Sequence, residues 1–361
     1  MRCLAGAAVI FAAGVLGLTG CGKEAETVSQ EDNGKLKVVT TLFPYYDFTR
    51  QVAGDMIDLE LIIPAGMDSH SFEPTPTDIR KLENADILIA NGGHMEHWVE
   101  QVVDSLNNED LKVVYMMDYV DVVAEEVVEG MEHNHEHSHV HADGETCTED
   151  HDHEQYHVVE IEACTLDHDH EAEDHDHEDE SQYEIEYDEH IWTSPVNAMK
   201  ITAAITETLK EADPVHADSY DVSKDVYIKK LEALDQEFRN IRAEAVHDVM
   251  IMGDKFPLRY FADEYDLRYR AAFSGCASDT EPSAKTIAYL IDKIKEEKLQ
   301  VIYYLELSSH RVAEIIGEET GAEPLLFHSC HNVTRREFEE GITYLDLMEQ
   351  NVINLREGLC K

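Results

Sequence analysis

The apolar positions of the chain fall into short runs separated by polar stretches with helical spacing. Residues 36–40 read as a strand, 46–54 as a helix and 57–63 as a strand; 77–84 read as a helix opened by Pro76, and 87–90 as a buried strand. A second series begins past the middle, with a strand at 249–252, a helix at 283–297, a strand at 301–305 and a helix at 311–320. Strands that alternate with helices are joined by crossovers, which predicts parallel sheets. The pattern therefore predicts an α/β protein of two lobes: 36–214 and 246–361. Between them Val226, Ile228, Leu231, Leu234, Phe238 and Ile241 recur with helical spacing, which predicts one connecting helix over 215–245. A single stiff helix limits how far two lobes swing apart.

The first residues have a different pattern. An apolar stretch over 4–18 ends in Leu18-Thr19-Gly20-Cys21, too short for the roughly 20 residues that cross a bilayer. It reads as a secretory signal over 1–20, followed by a polar tether over 21–35. Its end resembles a bacterial lipobox, which makes Cys21 the lipidated mature N-terminus, anchored to a membrane rather than spanning it.

A third pattern interrupts the first lobe over 132–189. This segment has no Lys or Arg, is dense in Asp and Glu, and carries twelve histidines between His133 and His177. Such polarity forbids a packed core and predicts a disordered insertion, with a short strand at 158–164 as an exception. Its His-x-His triplets suit weak, interchangeable capture of metal ions. The net charge of −49 excludes nucleic acid and anionic lipid headgroups as partners, because phosphates are repelled. Cations are the natural ligands. The few cysteines show no Cys-x-x-Cys pair, so neither a zinc ribbon nor a disulfide framework is indicated.

Two stretches carry ligand chemistry. A Pro- and Gly-rich loop, Pro64 to Pro76, leaves a strand and enters a helix, which is where an α/β lobe presents ligands, and it holds His70. Asp188-Glu189-His190-Ile191-Trp192-Thr193-Ser194-Pro195 sets a second imidazole between acidic and aromatic residues. These stretches resemble the His loop and the Asp-x-His-x-Trp-x-x-Pro motif of the cluster A-I metal-binding receptors of ABC importers, a group that includes zinc and manganese receptors. The resemblance extends to Thr41-Leu42-Phe43-Pro44, Asn91-Gly92 with Glu96 and Trp98, Glu281-Pro282-Ser283, and Tyr344 with Met348 and Asn351.

The resemblance implies two α/β lobes with the metal in the cleft, and His70 and His190 as ligands from the first lobe. In the second lobe the chain departs from the family. Gly253 stands where a third His is expected, and the loop that ordinarily holds the last carboxylate reads Phe327-His328-Ser329-Cys330-His331-Asn332. His328 and His331 are therefore the expected second-lobe ligands, with Asp254 as the alternative donor. Cys330 is read either as half of a disulfide with Cys276 or as a free or ligating thiol.

The expected function is an exported, lipid-anchored, monomeric receptor that takes Zn²⁺ to an ABC permease. Zn²⁺ is preferred over Mn²⁺ because imidazole suits zinc whereas manganese sites lean on carboxylates. The alternatives are a manganese receptor or adhesin on the same fold, and a secreted zinc hydrolase. The hydrolase reading leans on His94-Met95-Glu96-His97, whose spacing is one residue short of His-Glu-x-x-His.

Overall fold

The computed structural model describes residues 34–131, 186–275 and 281–361. The signal, Cys21, most of the tether, Cys276, and the His-rich segment up to residue 185 with its expected strand at 158–164 all lie outside the described residues. Among the described residues no helix is long and apolar enough to cross a membrane.

The first lobe runs β1 (Lys37–Thr40), α1 (Phe43–Ala53), β2 (Asp58–Leu61), α2 (Pro76–Glu83), β3 (Ile87–Ala90), α3 (Trp98–Val103) and β4 (Lys112–Tyr115). Two helices follow, α4 (Pro195–Ala212) and α5 (Ala217–Glu244). The second lobe runs β5 (Val249–Phe256), α6 (Arg259–Glu264), β6 (Arg268–Ser274), α7 (Ala284–Glu297), β7 (Val301–Tyr304), α8 (Arg311–Thr320) and β8 (Glu323–Leu326), and ends in α9 (Arg335–Glu340) and α10 (Tyr344–Leu359).

The sheets are four-stranded and parallel, in the orders β2-β1-β3-β4 and β6-β5-β7-β8. Each thus reverses its direction of growth after its second strand, with the switch between its first and third strands. That switch point opens a crevice at the carboxyl ends of the strands, the general location of ligand sites in open parallel sheets. Local sequence explains where the helices begin. Pro76 supplies the fixed φ favoured in a first turn, and Thr75 and Asp78 close a capping box around it. Ser194 caps α4 ahead of Pro195, and Ser283 caps α7.

Strand β5 alternates as period two requires. Met250 and Met252 join the larger apolar cluster, and Val249 and Ile251 join the smaller one beneath α7 and α8. The larger cluster continues through both lobes, from Val38 and Phe48 through Phe238 to Phe327 and Tyr344. Helix α5 lies along it, burying Tyr220, Tyr227, Leu231, Leu234, Phe238 and Ile241 against α1, α4 and α10. Val226, expected on that face, is exposed, because Tyr227 takes the inward position one residue along. The insertion also ends earlier than its composition suggests. Residues 186–188 pair with 123–125, through an antiparallel bridge at Tyr187 and Ala124, and Asp188 and Glu189 are buried.

Candidate metal centre

His70, His190 and His331 converge from three separate segments. Each offers one ring nitrogen, and these nitrogens all lie within 4.8 Å of one another. The ring centroids are 6.2 Å apart for His70 and His190, 5.9 Å for His70 and His331, and 5.6 Å for His190 and His331.

His70 sits in a single 3₁₀ turn, Ser69–Ser71, between β2 and α2, where the Asp68 carboxylate accepts its backbone N–H at 3.0 Å. His190 is buried at the start of the 3₁₀ turn Ile191–Thr193. The Asp188 Oδ1 accepts its backbone N–H at 2.8 Å and lies 3.1 Å from its Nδ1. That carboxylate orients the ring and leaves Nε2 as the nitrogen available to a ligand, as in carboxylate–histidine–zinc arrangements. Trp192, fully buried, packs edge-on to the His190 ring and donates its Nε1–H to the Ser329 carbonyl at 2.9 Å. His331 follows β8 in the second lobe, with its Nε2 2.6 Å from the Ser69 hydroxyl. Burial, reinforced by His190, His70 and Lys255, holds its imidazole well below the ordinary value of 6.5. It is therefore neutral, with a lone pair to give, at neutral pH.

The cavity that these rings line has a volume of about 220 Å³, and Asp254, Lys255 and Glu306 complete its polar wall. Burial raises the Asp254 carboxyl above its usual range, against hydrogen bonds that include the Lys255 N–H at 2.9 Å.

His328 is not brought into the cluster. Its Nδ1 accepts the Cys330 N–H at 2.9 Å, and its backbone exchanges two hydrogen bonds with the Asn351 carboxamide. The physical reason is the turn between the two histidines. Cys330 has φ of 60°, in the left-handed region that L residues rarely adopt, and the reversal sends the two rings to different surroundings. The Cys330 thiol is free and fully buried. Burial pushes it well above its usual value, with Glu306 and Asp47 adding to the effect, so it stays protonated and is a poor ligand.

Gly253 has no room for any side chain. A Cβ there would lie 2.9 Å from the Ala313 backbone nitrogen and 3.1 Å from its Cα, in α8. The absence of a His at this position is thus a packing requirement of the lobe. Sequence reasoning missed two residues at the site. The Ser69 hydroxyl touches His331, and the Asn332 carboxamide reaches the loop that carries His70. Neither has a sequence signal, because each contact spans more than 260 residues.

Two parallel-sheet lobes, a long linking helix and a three-imidazole cleft define a two-lobed binding protein built to take a metal cation. Comparison with known proteins agrees. The chain belongs to the family described as zinc-uptake complex component A, periplasmic, whose model matches residues 38–358. It is 31% identical over 351 residues to the high-affinity zinc uptake system protein ZnuA of Bacillus subtilis, covering 97% of this chain and 96% of that one. It is 28% identical over 329 residues to the zinc-binding lipoprotein AdcA of Streptococcus pneumoniae, covering 91% of this chain but spanning only 56% of that relative. Among solved structures, the Zn(II)-bound ZnuA-like domain of the Streptococcus pneumoniae AdcA superposes with a TM-score of 0.65 at 26% identity, over 91% of this chain and all of the other.

Proposed function

We propose that the protein captures Zn²⁺ outside the cytoplasmic membrane and delivers it to the permease of an ABC importer, with His70, His190 and His331 as ligands. The convergence of three imidazoles from two lobes in one small cavity carries this reading. Zinc–nitrogen bonds of 2.0–2.1 Å in a tetrahedron set ligand nitrogens about 3.4 Å apart. Rings whose nitrogens already lie within 4.8 Å need to close by at most about 1.4 Å on loading. A nitrogen-rich set of this kind favours zinc over manganese, in keeping with the zinc-binding names of the relatives. We assign the fourth position to a donor of the same wall, where Asp254 offers a carboxylate.

Anchorage through a lipid on Cys21 and release of zinc to a permease complete the proposal. A hydrolase would need a general base beside the metal. Glu96, the base that its motif offered, is buried with its carboxylate accepting the Asn91 and Gly92 N–H groups at 2.7 and 3.2 Å, and it does not line the cavity.

The test is zinc titration against a competing chelator. His70→Ala, His190→Ala and His331→Ala should each weaken the tightest site by about 100-fold or more, because an incomplete structural site forfeits several kcal/mol. His328→Ala should leave that site within a few-fold of the original. Equal losses in all four variants, or in none, would refute the ligand set.

A further inference from the structure

Apart from its 3₁₀ turn, the segment from Pro64 to the start of α2 has no regular structure. It nevertheless positions His70. Part of its order is local: the Met67 N–H donates to the Pro64 carbonyl at 3.1 Å, and Asp68 accepts from His70 and Ser71. Two side chains reach it from the other lobe: His331, whose Nε2 lies 2.6 Å from the Ser69 hydroxyl, and Asn332. Asn332 donates from Nδ2 to the Pro64 carbonyl at 3.0 Å and to the Met67 carbonyl at 2.7 Å, while its Oδ1 accepts the Val333 N–H at 2.8 Å. The residue is 7% exposed. Both amide hydrogens are thus spent across the cleft, on the two carbonyls that bracket the turn leading to His70. Its chain neighbour is His331, so one carboxamide registers the two ligand-bearing loops against each other.

The residue type fits this task narrowly. Only an amide offers two donors and an acceptor at this length; Asp would set a carboxylate against two carbonyl oxygens, and Ser would fall short. We propose that Asn332 is a positioning residue for metal capture, clasping the His70 loop to the His331 loop so that the site is assembled before the ion arrives. This inference rests on the ligand assignment above. A clasp that forms without the ion spares it from ordering the loop, and that saving appears as affinity. Two buried neutral hydrogen bonds correspond to about ten- to thirty-fold in a binding constant.

The experiment uses the full chain with Co²⁺ as a spectroscopic probe and Zn²⁺ for affinity, comparing wild type with Asn332→Asp and Asn332→Ala. Less than one equivalent of metal is added, so that the tightest site reports. The expected result is a ten- to thirty-fold weaker tight site, faster release, and a less intense tetrahedral Co²⁺ spectrum. A lower unfolding midpoint with unchanged affinity, release and spectrum would make Asn332 structural only, and would overturn the proposal. Hydrogen exchange on metal-free wild type tests the same point without any variant. The Met67, His70 and Phe72 amides, which donate within the loop that the clasp holds, should be protected, and free exchange there would also overturn the clasp. Failure of the ligand assignment has a separate signature, a first Co²⁺ equivalent whose spectrum is unaltered by His70→Ala.

Discussion

Restoring the family's missing histidine should damage this protein rather than improve it. Gly253 lies at the register shift of β5, between Met252 and Lys255, and faces the backbone of α8. A Cβ meets the Ala313 nitrogen at 2.9 Å, a distance that real Cβ atoms almost never show, and its Cα at a tight 3.1 Å. The obstacle is main chain in the first turn of a sheet-packed helix, so no rotamer change relieves it. Helix α8 must move by several tenths of an ångström, opening its contacts through Ala313 and Ile316 with the smaller cluster. Overpacking of this kind costs about 1–3 kcal/mol, and the rigidity of the neighbour puts Gly253→Ala at about 2–3 kcal/mol. Gly253→His adds a polar ring at the same contact and should cost more. Urea unfolding of both variants measures the loss, and chelator competition measures zinc affinity alongside. A Gly253→His protein as stable as wild type, with zinc bound more tightly, would show that the site has room for a fourth imidazole and that this steric reasoning is wrong.

Other expectations follow from the groups around the site. Asp188→Asn removes the charge that orients the His190 ring, and should weaken the tight zinc site by about 10–100-fold with little change in secondary structure by circular dichroism; unchanged affinity would deny Asp188 that role. Burial raises Glu96 from 4.5 to about 7, so the folded state holds a proton that the unfolded state has released. The Glu96 contribution to stability should therefore be full below pH ~4.5 and be lost as pH rises to about 7, by on the order of 3 kcal/mol. Glu96→Gln should flatten that slope in denaturant unfolding across pH, and an equally steep slope in the variant would place its origin elsewhere. Deleting residues 132–180 should leave one tight zinc site by calorimetry while removing weaker ones; loss of the tight site would show that the segment supplies a ligand.

Much of the architecture was legible because the strongest local signals were unopposed. The apolar block of β3 and the pattern of α8 were read to the residue, since each is bounded by polar or turn-forming neighbours. Strand β2 proved shorter than expected, as only Asp58–Leu61 pairs with β1 at the sheet edge. Strand β6 was missed because Arg268 and Arg270 break its apolar run. At the site, His70 and His190 announce themselves through motifs confined to a few residues. The choice between His328 and His331 could not be read in the same way. It depends on the left-handed φ of Cys330, and nothing about a cysteine in sequence signals that conformation. The reason Gly253 stands in place of a His likewise needed the position of α8, which is set by packing some sixty residues away.

The continuous core has a consequence for how the molecule is made. Asp47 is buried in α1, and its Oδ2 accepts the backbone N–H of Tyr344 at 2.8 Å; the Tyr344 hydroxyl in turn donates to the Trp192 carbonyl at 2.9 Å. A carboxylate that emerges early in synthesis thus waits for a partner at the opposite end of the chain. Until α10 arrives, Phe48 lacks the Tyr344 ring that packs against it, and Asp47 has only Arg50 and Gln51. Contacts so distant in sequence form slowly, because loop closure precedes their reward. A ribosome or an export channel releasing this chain N-terminus first therefore delivers a first lobe that is unfinished until the last helix is out. Truncation within α10 should accordingly produce a protein that fails to mature rather than one that folds and binds weakly.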